Sequence, residues 1–155
     1  MVIRKATIND VNKILLLLQD TLFIHSSGRP DIFKEKGSKY NRAQLEQIIS
    51  CEQTPIFVAD DNGVMGYAFC QIKEQKESGA LKAIKSLYID DLCVDKGARG
   101  SGIGKKLYEH ALAFAKQIGC YHLTLNVWEL NQSAKTFYEK LGLMPLKTTM
   151  EKIIN

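Results

Sequence analysis

Residues Val94–Lys106 read VDKGARGSGIGKK and follow a run, Ala83–Val94, with the composition of a β-strand. The residues behind them, Gly102–Ile118, have helical apolar spacing, so the sequence predicts a strand, a glycine-rich turn and a helix. The first turn of a helix presents unpaired backbone N–H groups and the positive end of the helix dipole. Glycines let an anion approach them without a Cβ in the way. We therefore expect this turn to bind a phosphate group.

Three nucleotide-binding motifs with glycine-rich loops do not fit this turn. Gly100, Gly102 and Gly104 follow a GxGxG pattern, whereas a dinucleotide fingerprint needs GxGxxG within a βαβ unit. A Walker loop needs a glycine five residues before the final Gly-Lys and a Ser or Thr after it, but here those positions hold Arg99 and Lys106. A kinase glycine loop joins two strands, while here a helix follows.

The rest of the chain continues an alternation of strand and helix patterns. The sequence predicts the element order β, α, α, β, β, β, α, β, α, β, which is typical of a mixed α/β sheet with helices on its faces. The Asp60–Gly63 segment predicts a hairpin turn, and His25–Lys39, rich in Gly, Pro and Ser, predicts a long surface loop. The other predicted elements are strands at Val2–Thr7, Ile56–Ala59, Val64–Ile72, Tyr121–Trp128 and Leu146–Ile154, and helices near 10–22, Asn41–Cys51 and Asn131–Leu141.

Length and composition favour one globular domain spanning residues 1–155. The chain is 45% hydrophobic and 25% charged, and its 21 Lys and Arg exceed its 17 Asp and Glu by only four. This excess is spread along the chain, so it suits an anionic ligand but not a nucleic-acid-binding surface, which needs clustered positive charge.

No sequence feature predicts a membrane, secretory or metal-binding protein. The richest apolar stretch, Ile14–Leu18, is far shorter than the roughly 18 residues that a bilayer span needs, and Met1–Lys5 does not lead into a signal core. The cysteines are far apart and form no CxxC pair, so we expect reduced, mostly buried thiols and no metal site: Cys51, Cys70, Cys93 and Cys120. A cytoplasmic location is expected.

Two motifs together resemble the GNAT (GCN5-related) N-acetyltransferase family. Arg99-x-x-Gly102-x-Gly104 is similar to the family's motif A, (Gln/Arg)xxGx(Gly/Ala). Asn131–Leu143, NQSAKTFYEKLGL, is similar to its motif B and follows at the expected distance, after one helix and one strand. The resemblance extends over the whole chain in length and element order. It implies a GNAT-like acyl-CoA N-acyltransferase fold, with a mixed and mostly antiparallel central sheet.

The resemblance also implies a co-substrate, acetyl-CoA, and a set of residues that contact it. Backbone amides of the glycine turn would hold the pyrophosphate, and pantetheine would pair with strand Ala83–Val94 where it splays from its neighbour near Asn126–Trp128. A backbone N–H near Leu92 or Cys93 would stabilise the oxyanion of the thioester. The expected CoA-contacting residues are Leu92, Cys93, Val94, Arg99, Gly100, Ser101, Gly102, Ile103, Gly104, Lys105 and Asn131.

The resemblance assigns proton transfer to two side chains. Tyr138 of motif B is the candidate general acid for the departing thiolate, and a packed structural tyrosine is the alternative. Asp91 is the favoured base or acceptor-binding acid on the strand entering motif A. Since neighbours on a strand point to opposite faces, we expect at most one of Asp90 and Asp91 to face the acceptor. His25 or water is the other base candidate. Trp128 is expected to pack in the core, and the alternative is that it forms a wall of the acyl site.

The expected reaction is direct attack of an amine on acetyl-CoA in a ternary complex, without a metal or a covalent enzyme intermediate. The rival functions are a catalytically idle CoA-binding regulator and a module binding ATP or NAD. The acceptor would be a small molecule or a peptide or protein amine, bound near His25–Lys39, and no sequence signature separates these classes. A homodimer is left open as a further partner, whereas nucleic acid and membranes are not expected.

Overall fold

The computed structural model describes residues 1–155 and contains one five-stranded sheet. In spatial order its strands are β1 (Val2–Lys5), β2 (Ile56–Asp60), β3 (Val64–Gln75), β4 (Ile84–Val94) and β5 (His122–Leu125). Antiparallel pairing joins β1 through β4, and only β4 and β5 are parallel. The predicted mixed, mostly antiparallel sheet is confirmed.

Four α-helices cover the sheet, and local capping chemistry explains where they begin. They are α1 (Val11–Gly28), α2 (Arg42–Ser50), α3 (Ile103–Gln117) and α4 (Gln132–Lys140). Before α1, the Asp10 carboxylate accepts from the Thr7 backbone N–H at 2.7 Å. Before α2, the Asn41 side chain accepts from the Gln44 N–H at 2.8 Å. The Gln44 N–H is one of those that the first helical turn leaves unpaired, whereas Thr7 and Asp10 enclose a short 3-10 turn, Ile8–Asp10, that leads into α1.

The two faces of the sheet carry separate apolar clusters. On one face, α3 packs against β2, β3 and β4 through residues such as Leu107, Ala111, Leu87 and Ile89. On the other face, α1 and α2 pack against a cluster that includes Tyr67, Phe69 and Cys93. This second face carries the polar side chains of the candidate site. No helix combines the length and the apolar character that crossing a membrane would require.

The first helix is longer than predicted. It continues to Gly28 through Ser26 and Ser27, and the Ser26 hydroxyl donates to the Phe23 carbonyl within the helix. The helix ends at Arg29, because Pro30 disfavours helical backbone in the residue before it. The acceptor-side loop therefore spans residues 29–41 instead of starting at His25.

The predicted final strand is wrong. No residue from Met144 to Asn155 belongs to a strand, and none of their backbone groups takes part in a backbone hydrogen bond. All twelve are exposed, and the segment contacts the rest of the chain through an ion pair between Glu151 and Arg29. Its apolar pattern suits a strand, but a strand also needs a neighbour for its backbone groups, which this segment lacks.

Candidate active site

The glycine-rich turn joins β4 to α3 and has the backbone geometry that only glycine adopts freely. Gly100 and Gly102 have φ angles of +79° and +81°, and Gly102 is the N-cap of α3. A Cβ at either position would meet no atom within 4 Å, so open space lies before the helix start. An anion can therefore approach the backbone there.

Backbone donors line this open space. None of the N–H groups from Gly100 to Lys105 donates to a protein acceptor, because α3 begins at Ile103 and its first bonds come from later residues. Asp95 supports the turn from behind by accepting from the Gly97 N–H at 3.0 Å and from Lys13 at 2.5 Å. Six consecutive unpaired donors, at the positive end of a fifteen-residue helix, match the needs of a pyrophosphate.

The side chains of the turn have other partners. The Arg99 Nε donates to the Val94 carbonyl at 3.2 Å, and the Ser101 hydroxyl donates to the Ala98 carbonyl at 2.5 Å. Lys105 lies 3.7 Å from Glu109 in an exposed pair along α3, and such pairs contribute little to stability. The backbone, more than these side chains, is thus arranged for an anion.

Gly104 has a packing reason for being glycine. A Cβ there would lie 3.3 Å from the Phe137 ring, so α4 crosses close to the first turn of α3. The close approach joins the two motifs in space. Within α4, the Asn131 side chain accepts from the Ala134 N–H at 3.2 Å and caps the helix.

β4 separates from β5 at the predicted place. Their pairing ends at Ile89 and Leu125, while β4 continues to Val94 with β3 alone. Directly after β4, the Asp95 N–H donates to the carbonyl of Met65, which belongs to β3. Backbone groups alternate along a strand, so those of Cys93 also point to β3 and those of Leu92 point to the open edge. Leu92, not Cys93, therefore offers its N–H to the gap between the strands.

A β-bulge changes which way the two aspartates point. Phe69 pairs with Asp91 while the next residue, Cys70, pairs with Ile89, so Asp90 is an extra residue in β4. The bulge places both side chains on the face of α1 and α2: the Tyr67 hydroxyl donates to Asp91 at 2.7 Å, and the Tyr40 hydroxyl donates to Asp90 at 2.5 Å. The expectation that only one aspartate faces this side is wrong, because strict alternation fails at a bulge.

The surroundings of Asp91 suit a proton acceptor. Burial raises the pKa of Asp91 above its ordinary value, against the opposing effects of the Tyr67 hydrogen bond and the Lys39 charge. Asp90 is paired differently, since the Lys39 ammonium lies 3.1 Å from its carboxylate. Desolvation raises the affinity of a carboxylate for a proton, and a general base near neutrality needs that affinity.

Tyr138 lies on α4, close enough to Asp91 for electrostatic interaction. Burial and then the negative charge of Asp91 raise the pKa of Tyr138 well above the ordinary value of a phenol. The hydroxyl therefore stays protonated through neutral pH and is available as a proton donor. The charge of Asp91 thus acts on Tyr138 across a sequence separation of 47 positions.

The sequence did not predict that His25, Phe33 and Trp128 would form one aromatic group. His25 stacks on Phe33 with ring centroids 5.0 Å apart, and Phe33 meets Trp128 edge to face at 5.1 Å. Trp128 is 40% exposed and not in the core, and burial followed by the Lys39 charge lowers the pKa of His25. The available sequence signal was the position of two large aromatic residues: Phe33 lies in a predicted loop and Trp128 at a predicted strand end.

The chain is similar to known proteins in both sequence and fold. A family model described as the acetyltransferase (GNAT) family matches residues 19–143. A peptidyl-lysine N-acetyltransferase, YjaB of Salmonella typhimurium, is 35% identical over 103 residues, which cover 65% of this chain and 59% of that protein. A glucosamine 6-phosphate N-acetyltransferase of Arabidopsis thaliana is 28% identical over 152 residues, which cover 97% of this chain and 94% of that protein. The solved structure of a BH1408 tetramutant from Bacillus halodurans superposes with a TM-score of 0.95 at 29% identity, covering 99% of this chain and 100% of that chain.

Proposed function

Because the chain belongs to the acetyltransferase (GNAT) family, we propose that it transfers an acetyl group from acetyl-CoA to a primary amine by direct attack in a ternary complex. One observation carries the proposal: β4 opens away from β5 between the unpaired amides of Gly100–Lys105 and the neighbouring pair of Asp91 and Tyr138. The proposed base, the exposed strand edge and the proposed phosphate site thus follow one another along β4 and the turn after it, and the charge of the base acts on the proposed acid. This is the set of groups that thioester aminolysis needs.

Binding of acetyl-CoA is assigned to the glycine turn and the open edge of β4. The N–H groups of Gly100, Ser101, Gly102, Ile103, Gly104 and Lys105 would hold the pyrophosphate, with Arg99 nearby. Outward-facing backbone groups of Leu92 and Val94 would pair with pantetheine amides, as an added strand does. Asn131 is assigned a supporting role, because its side chain fixes the start of α4.

The acid and the base act on opposite ends of the reaction. A primary amine with a pKa of about 10.4 is almost wholly protonated at neutral pH, so Asp91 accepts a proton before or during attack. The Leu92 N–H stabilises the oxyanion as the nitrogen–carbon bond forms, which for one donor contributes roughly 3 kcal/mol. Tyr138 then donates its proton to the sulfur as the carbon–sulfur bond breaks, and CoA leaves as a thiol. The second proton of the nitrogen restores the Tyr138 phenol.

The first experiment is an amine-library screen that measures CoA thiol release. Small amines, peptide amino termini and protein lysines should be represented, because the relatives act on acceptors of different kinds by their names. We expect at least one class to raise thiol release above the rate without amine. Stabilisation by acetyl-CoA without turnover of any amine would favour the idle CoA-binding regulator, and stabilisation by ATP or NAD instead would favour a nucleotide module.

We also propose a homodimer formed through residues 144–155. This segment exposes five large apolar side chains, and the outer edge of β5 has no partner strand: Met144, Leu146, Met150, Ile153 and Ile154. If residues 144–155 of each copy paired with β5 of the other, the backbone groups of both the segment and the strand edge would gain hydrogen-bond partners. Light scattering should show a dimer for the full chain and a monomer for a chain ending at Leu143. A monomeric full chain at micromolar concentration would contradict the proposal.

A further inference from the structure

We propose that Lys39 is itself an acceptor for this site and becomes acetylated in cis when no other amine is present. The inference rests on the proposed function, since it uses the same acetyl donor and the same proton-transfer groups. It concerns a residue of the acceptor-side loop, residues 29–41, that has no assigned role.

The Lys39 ammonium already lies where an acceptor amine would bind. Its Nζ is 3.1 Å from the Asp90 carboxylate and 3.2 Å from the Asp90 carbonyl. No other lysine forms an ion pair with Asp90 or Asp91. The surroundings of Asp90 can therefore hold an alkylammonium group, since they already hold that of Lys39.

The side chain has the freedom and the reach to arrive at the thioester. Lys39 is 44% exposed, and the segment before it forms neither helix nor strand, so its position is not fixed by packing. Asp90 precedes Leu92 by two residues, which places the Lys39 contact about 7 Å along the strand from the proposed oxyanion donor. A change of rotamer in a lysine side chain moves its nitrogen by a comparable distance.

The chemistry balances with groups that are already in the cleft. Lys39 loses one proton to an aspartate, and its neutral nitrogen attacks the thioester carbonyl carbon. A nitrogen–carbon bond forms, the carbon–sulfur bond breaks, and the sulfur takes a proton from Tyr138. The nitrogen gives its second proton to the Tyr138 phenolate, which restores the phenol. The products are Nε-acetyl-Lys39 and CoA. The acetylated side chain is uncharged, so the ion pair with Asp90 is lost and the carboxylate becomes available to another ammonium group.

The test is incubation of the full chain with acetyl-CoA and no added amine, followed by peptide mapping by mass spectrometry. Lys34 and Lys36 belong to the same loop and form no ion pair, so they report non-enzymatic acetylation. We expect Lys39 to be modified at least ten times faster than either, with a rate constant that does not depend on protein concentration. Tyr138→Phe should still bind acetyl-CoA, but in this variant the acetylation rate of Lys39 should fall to that of Lys34 and Lys36.

Each outcome of the experiment decides the proposal. Equal modification of the three lysines, an unchanged Lys39 rate in Tyr138→Phe, or a rate that rises with protein concentration would overturn acetylation in cis. If the amine library yields a product while Lys39 stays unmodified, only this inference fails. If neither an added amine nor Lys39 is acetylated, although acetyl-CoA binds, the proposed transferase activity fails as well.

Discussion

Substitution of Gly102 tests the proposed phosphate site most directly, because alanine and aspartate there both place a Cβ on left-handed backbone in open space. With φ at +81° and no atom within 4 Å of an added Cβ, either residue strains the turn without a clash. The strain of a left-handed residue costs about 1–2 kcal/mol. It should lower the Tm of both variants by about 2–8 °C for a chain of this size. Only Gly102→Asp adds a carboxylate beside the unpaired amides.

The effect of that carboxylate on ligand binding follows from its distance to the anion. Two like charges about 5 Å apart at an effective dielectric constant of about 20 repel by about 3 kcal/mol, a loss of about 10²-fold in affinity. Acetyl-CoA at about 100 times its Kd stabilises a protein by about 2.7 kcal/mol, or about 5–11 °C here. After the affinity loss, the same concentration gives only about 1 °C.

The assay is a thermal shift with and without acetyl-CoA, backed by calorimetric titration, on the wild type, Gly102→Ala and Gly102→Asp. Gly102→Ala should start from a lower Tm and keep most of the ligand-induced shift, whereas Gly102→Asp should lose it. An equal shift in the two variants would refute the assignment of the pyrophosphate to the start of α3, whatever their stabilities.

Four further predictions concern the proposed catalytic pair and the sheet. Tyr138→Phe should keep acetyl-CoA affinity within a few-fold and lower kcat by about 10²-fold; near-normal turnover in a steady-state assay would make Tyr138 structural. Asp91→Asn should lower kcat/KM and remove the acid limb from its pH profile. The matched variant Asp90→Asn should keep that limb, and loss of the limb in both variants would refute a distinct role for Asp91. Burial raises the pKa of Asp91 in the folded state above its pKa in the unfolded chain. Ionisation of Asp91 therefore destabilises the fold as the pH rises above the pKa of the unfolded chain. Asp91→Asn should raise the Tm at neutral pH, and this gain should vanish in acid. Gly66→Ala should lower the free energy of unfolding by about 2 kcal/mol in urea denaturation, because its Cβ would lie 2.7 Å from the Cys93 carbonyl oxygen. Gly97→Ala, with no atom nearer than 3.5 Å, should be close to neutral. Equal losses in the two variants would show that the sheet adjusts to a side chain at position 66.

Sequence patterns located the elements well where the signal was local. The turn at Asp60–Gly63 forms as predicted, with the Asp60 carboxylate accepting from the Gly63 N–H at 3.0 Å. The start of α3 lies within one residue of the predicted start, because glycine and helix periodicity both mark it. The end of α1 was missed by six residues, since Ser26 and Ser27 are tolerated within a helix whose other residues pack.

Residue identity and spacing alone determined the family and the choice of the glycine-rich turn, Tyr138 and Asp91 as candidate site residues, because these depend on short motifs along the chain. Tertiary structure decided how the candidates are arranged. The bulge at Asp90 turns two adjacent carboxylates to one face, and the separation of β4 from β5 leaves Leu92 with an outward N–H. Strand pairing sets both features, and pairing is a relation between distant segments that no local pattern contains. For the same reason residues 144–155, which have a strand pattern but no neighbour, form no strand.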